Sequence, residues 1–187
     1  MIELFRTYVK WKILAHFLAN PNTYFHIKQL ARILDVSPAS VSGAVKSFEE
    51  DGLLSKEEKG LAHIYRLDSD NCMVEPLKKA YGIAFVFSSK PKEKFLEIDS
   101  NIISLALFGS FAEGNFDERS DIDFLIVTSA SKEMFIKAAK RLEEELEKEV
   151  SLSVLKLSKW KTMAEIGDAF YKRVVENHIL LYGSGLK

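Results

Sequence analysis

The segment Gly109-Ser110-Phe111-Ala112-Glu113-Gly114, continuing through Asn115 and Arg119 to Ser120-Asp121-Ile122-Asp123-Phe124-Leu125-Ile126-Val127, decides how the rest of the chain is read. It begins where an apolar run ends: Ile102-Ile103, then Leu105-Ala106-Leu107-Phe108, the pattern of a buried strand. Gly109 and Ser110 break that strand. Gly114, Asn115 and Asp117 favour turns and loops, and a second apolar run starts at Asp121.

Residues two apart on a strand share a face, so Asp121 and Asp123 project together while Ile122 and Phe124 pack behind them. Two neighbouring carboxylates repel unless a cation lies between them. Hard oxygen ligands of this kind suit Mg2+, which takes one or two protein carboxylates and fills its other positions with phosphate oxygens and water. Gly109 removes a side chain where the chain turns, and Ser110 offers a hydroxyl and an amide to a phosphate. The residues therefore describe a triphosphate cradle facing a metal pair.

Gly-Ser, a gap, Gly, then Ser-Asp-Ile-Asp before an apolar strand resembles the minimal nucleotidyltransferase domain of the DNA polymerase beta-like superfamily. The resemblance implies that Gly109 and Ser110 bind nucleotide phosphates, that Arg119 and Ser120 support the nucleotide loop, and that Asp121 and Asp123 are catalytic metal ligands. It also implies Mg2+ with a nucleoside triphosphate as ligand or substrate. In active members a third carboxylate on the next strand completes the metal site and helps deprotonate the attacking hydroxyl. The phase of LEKEVSLSVLKL, residues 146–157, places Ser151 there, with Ser153 the next position on that face. Serine cannot act as a general base at neutral pH. Glu149, Glu113 and Asp117 are the nearby acids that would have to substitute.

The chain has 187 residues, 47% hydrophobic and 28% charged, enough for two small cores. Its formal net charge of -1 provides no global attraction to nucleic acid, so DNA binding would need a local patch. A single cysteine, Cys72, excludes an internal disulfide framework, and His16, His26, His63 and His178 lack metal-ligand spacing. With no signal peptide and no long uncharged apolar segment, the default expectation is a cytoplasmic protein with no membrane partner.

Ahead of the central segment, Phe5, Val9, Ile13 and Phe17 have helical spacing over about residues 2–18. A second helix is expected from Ile27 to Leu34. Ser37 caps a third, Pro38 fits its first turn, and Val41, Ala44, Val45 and Phe48 form its buried face up to Glu50. Strands at residues 53–56 and 62–67 follow, joined by the polar turn Glu57-Glu58-Lys59-Gly60. This order, and the phrase LARILDVSPASVSGAVKSFEEDGLL at residues 30–54, resembles a winged helix-turn-helix. The resemblance makes residues 38–50 the recognition helix, with Ser40, Ser42 and Lys46 outward and Arg32 beside it as DNA contacts. Lys10, Lys12 and Lys28 are further phosphate-binding candidates. Residues 1–70 nevertheless contain nine Lys plus Arg against nine Asp plus Glu, so the module is neutral. Docking or dimerisation stays open as its alternative use.

The expected fold class is α+β: a winged helix-turn-helix at 1–70, a helical connector at 71–100, and a small mixed sheet backed by helices, a nucleotidyltransferase fold, at 101–187. The connector has helical spacing from Met73 to Phe87, although Gly82 leaves a strand at 83–87 open. Its aromatic face suits interdomain packing or a homodimer. Beyond the aspartates, residues 132–148 predict a helix with Met134, Ala138, Leu142 and Leu146 inward, and 150–157 a strand. Residues 159–177 predict one helix with Trp160, Met163, Ile166, Phe170 and Val174 inward, before a closing strand at 178–182.

Three functions fit. One is a transcriptional regulator whose nucleotidyltransferase domain binds Mg-NTP and whose partner is double-stranded DNA. Another is an enzyme moving a nucleoside monophosphate from NTP to a hydroxyl of a protein or small molecule. The last is a structural dimer, which the crowded aspartates argue against.

Overall fold

A computed structural model describes Ile2, Arg6, residues 8–60 (Lys59 by its backbone alone) and residues 62–186; the expected helical position Phe5 lies outside them. The fold is α+β and divides into two compact units, Met1–Ala84 with Gly114–Arg119, and Phe85–Glu113 with Ser120–Lys187.

In the first unit, helices α1 (Val9–Ala19), α2 (Ile27–Leu34) and α3 (Pro38–Glu50) precede a hairpin of β2 (Leu54–Lys59) and β3 (Ala62–Leu67). A two-residue strand, β1 (Phe25–His26), pairs with the free side of β3, giving the order β1-β3-β2. Local chemistry sets these boundaries. The Ser37 side chain accepts the Ser40 amide at the start of α3 and Pro38 occupies the first turn, while Asp35 ends α2 with a positive φ of 50°. The core gathers Ile13, Phe17 and Leu18 with Leu30, Val41, Val45 and Leu67. The strands run on to Lys59, three residues past the expected end of the first at Lys56. Full antiparallel register from Leu54↔Leu67 to Lys59↔Ala62 takes Glu57 and Glu58 out of the expected turn and into the ladder.

Helix α4 (Val74–Ser88) is continuous through Gly82, so no strand forms at 83–87; the amphipathic period outweighs the local cost of one glycine. Its first part belongs to this unit and meets the segment Gly114–Arg119. A Cβ on Gly114, at φ +89°, would lie 2.7 Å from Lys79 Cβ and 3.0 Å from the Glu75 carbonyl oxygen. Phe116 is buried, 6.4 Å from the Tyr81 ring and with Lys78 Nζ 5.0 Å from its own centroid. The Glu118 carboxylate accepts the Asn22 amide at 2.9 Å and the Thr23 hydroxyl at 2.9 Å. These hydrogen bonds hold its pKa below the ordinary carboxylate value although burial pushes the other way.

In the second unit, β4 (Ser104–Phe108), β5 (Ile122–Val127), β6 (Val150–Leu155) and β7 (His178–Gly183) form a mixed sheet in the order β6-β5-β4-β7. β5 and β6 are parallel, and the crossover between them is α7 (Lys132–Leu146); the other pairs are antiparallel. Between α4 and β4 lies α5 (Pro91–Leu96). Phe95 and Phe135 cover one face of the sheet, with Phe95 edge-on to Phe124 at 5.3 Å. α5 and α7 are also tied by a Lys94–Glu145 ion pair at 2.8 Å. The inward stripe of α7 is Phe135, Ala138, Ala139, Leu142 and Leu146: Ala138, Leu142 and Leu146 face inward as expected, while Phe135 takes the place expected of Met134, which is half exposed.

The opposite face is covered by α8 (Leu157–Glu165) and α9 (Ala169–Glu176), where one helix was expected. Gly167 at φ +66° stops the first, and Asp168 caps the second by accepting the amides of Phe170 and Tyr171. The break leaves Ile166 70% exposed and Met163 only half-buried, whereas Trp160 and Val174 pack inward as expected. Among the described residues no helix is long and apolar enough to cross a membrane.

The two tryptophans report separately, Trp11 on the first unit and Trp160 on the second. In a Trp160→Phe background, Phe116→Ala should destabilise the unit reported by Trp11 by about 3–5 kcal/mol in urea unfolding. An unchanged Trp11 transition would show that Phe116 does not hold this unit together.

Candidate functional site

Three strand ends meet at one end of the second unit's sheet. β4 terminates in Gly109-Ser110, β5 begins just after Asp121, and β6 begins at Val150-Ser151. Register aligns Phe108 with Asp123 and Asp123 with Ser151, so Asp123 and Ser151 share the α8/α9 face of the sheet. The phase argument thus placed Ser151 correctly beside the aspartates.

Gly109 has φ +70°, and a Cβ there would lie 2.3 Å from Asp123 Oδ2. Only a residue without a side chain allows both the turn and the close approach of that carboxylate. Ser110 opens a four-residue turn of helix, α6 (Ser110–Glu113), in which the amides of Ala112 and Glu113 donate to the Gly109 carbonyl at 3.0 Å. Ser151 Oγ donates to Asp121 Oδ2 at 2.7 Å. Asp123 is half-buried and its pKa is pushed up to about 6, first by burial and then by the charge of Asp121, with Arg173 pulling the other way. Two carboxylates held together at this cost form a negative pocket that a hard cation would relieve.

Ser120 is half-buried immediately before Asp121 in the second unit, whereas Arg119 is exposed and belongs to the first. The Arg119 amide donates to Asp117 Oδ1 at 2.9 Å, which engages Asp117 within its own loop. Among the described residues no group of three His, Cys, Asp or Glu side chains gathers, so Glu113, Asp117 and Glu149 do not complete the aspartate pair. Two carboxylates and a hydroxyl fit Mg2+, a metal that keeps several positions for water and phosphate.

Sequence reasoning missed the cations here. A cleft of about 490 Å³ runs from Asp123 along Ser151 and Ser153 and is flanked by Lys132, Lys140 and Arg173. The α7 lysines lie outside the inward stripe that periodicity picks out, and Arg173 falls between the expected inward Phe170 and Val174. The signal that finds them is the sheet order, which brings α7 and α9 to either side of β6.

In the winged-helix unit, Arg32, Ser40, Ser42 and Lys46 are all exposed. Ser40 Oγ lies 2.8 Å from Ser37 Oγ, inside the helix cap. Lys46 is 3.9 Å from Glu50, with both side chains mostly exposed, so the pair contributes little. Lys12 differs from the other basic candidates, because its ammonium donates to the Leu34 carbonyl at the end of α2 and so serves the fold. On the wing, Glu57 accepts the Tyr24 hydroxyl and Arg66 lies 4.8 Å from the Tyr24 ring.

A family model described as a nucleotidyltransferase domain matches residues 88–182, and one described as the MarR family matches residues 6–60. No curated protein matches the chain. Among solved structures, a mutant of the toxin–antitoxin pair MntA-HpeT is 18% identical, covering 51% of this chain and 72% of that chain, with a TM-score of 0.40. A tri-AMPylated Shewanella oneidensis HEPN toxin in complex with MNT antitoxin gives 17% identity, 59% and 73% coverage, and a TM-score of 0.35. A toxin–antitoxin structure with AMP-PNP gives 18%, 49% and 73%, and 0.36.

The raised pKa of Asp123 has a sign that can be measured. Well below its unfolded pKa of 3.8 the group is neutral folded and unfolded. As pH rises toward 6 the unfolded chain loses the proton while the folded protein keeps it, so this group's stabilising contribution falls and stays lost above its folded pKa of about 6. Without added divalent metal, Asp123→Asn should therefore be more stable than wild type at pH 7, by roughly 1 kcal/mol after discounting for half exposure, with the gap closing toward pH 4. A pH-independent difference would show that the fold does not raise this carboxylate's pKa.

Proposed function

Because this chain belongs to the nucleotidyltransferase-domain family and has a MarR-family winged helix ahead of that domain, we propose that it is a DNA-binding regulator that binds Mg-NTP. The observation that carries this reading is the strained carboxylate pair: Asp123 pressed against the bare Cα of Gly109 and titrating at about 6 beside Asp121. Asp121 and Asp123 would hold Mg2+, which when bound neutralises triphosphate oxygens and polarises the α-phosphorus. Gly109 and Ser110 would take the phosphates, and Ser120 and Arg119 would support the loop. Ser151, at the position of a third acid, donates a hydrogen bond to Asp121 and supplies no base, which favours nucleotide binding with slow turnover or none.

A second reading, transfer of a nucleoside monophosphate from NTP to a hydroxyl acceptor, is favoured by the cleft beside Ser151, which leaves room for an acceptor next to the pair. In either reading the partner of the winged helix is double-stranded DNA. Arg32 and Lys46 neutralise phosphates while the small Ser40 and Ser42 allow close approach to base edges. The setting is the cytoplasm.

Titration with each ribonucleoside triphosphate, with and without Mg2+, tests the nucleotide site. The Asp121→Asn/Asp123→Asn double variant should keep its fold by circular dichroism and lose Mg2+-dependent binding; undiminished binding would remove the site assignment. For the other module, DNA affinity should fall steeply with salt, and the Arg32→Ala/Lys46→Ala variant should show a log–log salt slope smaller by about 2. Salt-independent binding, or none on any duplex, would leave the winged helix as a docking module.

A further inference from the structure

The winged-helix unit holds an almost fully buried lysine that neither its DNA-binding candidates nor the aspartate site uses. Lys78 on α4 is 7% exposed, and its ammonium lies 5.0 Å from the centre of the Phe116 ring. Among the described residues its side chain makes no hydrogen bond and no ion pair. Burial lowers its pKa, while the charges of Asp117, Glu118 and Glu75 act in the other direction. A lysine taken out of water is ordinarily paired, because desolvating an ammonium is costly. Lys78 instead lines a cavity of about 320 Å³, bounded within this unit by α4, the turn after α1 and the segment Gly114–Asp117. The charges around the cavity are of both signs. Glu75 and Asp117 line it as well, and Glu75 stands one helical turn from Lys78 without pairing with it. Asp117 accepts the Arg119 amide at 2.9 Å, which leaves its carboxylate charged. The Asn22 side-chain amide donates to Glu118 at 3.2 Å, leaving its carbonyl oxygen as an acceptor, and Val74 and Phe116 are the apolar part of the lining. A simple anion would meet Lys78 but also two carboxylates, and a simple cation would meet the carboxylates but also Lys78. A small molecule with one group of each sign and an apolar body suits all of the lining, and the volume is that of a small-molecule site.

We propose that this cavity binds a zwitterionic α-amino acid with an apolar side chain. The ligand's carboxylate pairs with Lys78, and its ammonium with Glu75, Asp117 and the Asn22 carbonyl. Its side chain lies against Val74 and the Phe116 ring. Bound there, it joins α4 to the segment Gly114–Asp117 and so stabilises the winged-helix unit, with no requirement for Mg2+ or nucleotide.

The test titrates the full chain calorimetrically, up to millimolar ligand, with leucine, phenylalanine and two matched compounds. Isocaproate is leucine without its amine, and isopentylamine is leucine without its carboxylate. Leucine or phenylalanine should bind at least about tenfold more tightly than either matched compound. Lys78→Met keeps the bulk of the stem and should weaken leucine at least about tenfold while isopentylamine binds no more weakly. Glu75→Gln should weaken leucine and leave isocaproate no weaker. In a Trp160→Phe background, saturating leucine should move the urea midpoint reported by Trp11 upward, and Lys78→Met should abolish that shift. Binding of isocaproate as tight as that of leucine overturns the proposal by making the cavity an anion site; equally tight isopentylamine makes it a cation site. Undiminished leucine binding in Lys78→Met overturns it too, as does a folded wild-type chain that takes neither leucine nor phenylalanine. If Lys78→Met does not fold, Glu75→Gln, at an exposed position, decides between the outcomes.

Discussion

The candidate site depends on one close approach, between the Asp123 carboxylate and the backbone of Gly109. A methyl group at position 109 would sit 2.3 Å from Asp123 Oδ2, well inside any tolerable separation. The turn itself needs a left-handed φ of +70°, so two independent constraints fall on one residue. With the side chain gone, the end of β4 and the beginning of β5 can bring the Gly109-Ser110 turn and a carboxylate pair together. The cost is electrostatic: burial, and then the charge of Asp121, push the Asp123 pKa up to about 6. A pocket that holds carboxylates against their own repulsion is preorganised for a cation, because little rearrangement is needed to receive one.

The residues between the cradle and the aspartates have a different role. Gly114–Arg119 belong to the winged-helix unit, where Phe116 is buried and Glu118 accepts hydrogen bonds from Asn22 and Thr23. The chain therefore leaves the nucleotidyltransferase unit after Glu113 and returns at Ser120. Its fixed ends are the turn after β4 and the lead into Asp121. In sequence this stretch is a loop rich in turn formers, and loops are where variation is ordinarily tolerated. Here Phe116 gives it a core of its own, and an apolar aromatic between Asn115 and Asp117 was the one signal in the sequence that the loop is anchored.

Much of this was legible because backbone rules are local. Ser37-Pro38 announced α3, Gly-Ser and Asp-x-Asp announced a turn facing a carboxylate pair, and period-two phase carried Ser151 to its place next to Asp123. What could not be read followed from tertiary choices. Met134 and Phe135 are both apolar neighbours, and only the aromatic pocket made by Phe95 and Phe124 decides which turns inward. The break at Gly167-Asp168 was legible and missed: a glycine followed by a capping aspartate is a stop and a start. Lys132, Lys140 and Arg173 could not be grouped from sequence, since their proximity to Ser151 exists only once β6 lies at the sheet edge.

Charge distribution separates the two modules physically. The winged-helix segment has as many acids as bases, and one of its bases, Lys12, is spent on the Leu34 carbonyl. Lys46 sits near Glu50, and Glu57 and Glu58 line the first wing strand. Counterion release scales with the number of phosphates neutralised, so a module with few free cations gains only a modest non-specific affinity. Electrostatic attraction alone would give such a surface little hold on DNA. The nucleotidyltransferase unit is built the other way, with its cations gathered around one cleft beside its aspartates. A weakly held DNA is readily released, and a small change in the free energy of the module would then be enough to shift its occupancy. That is the energetic condition a nucleotide-responsive regulator requires.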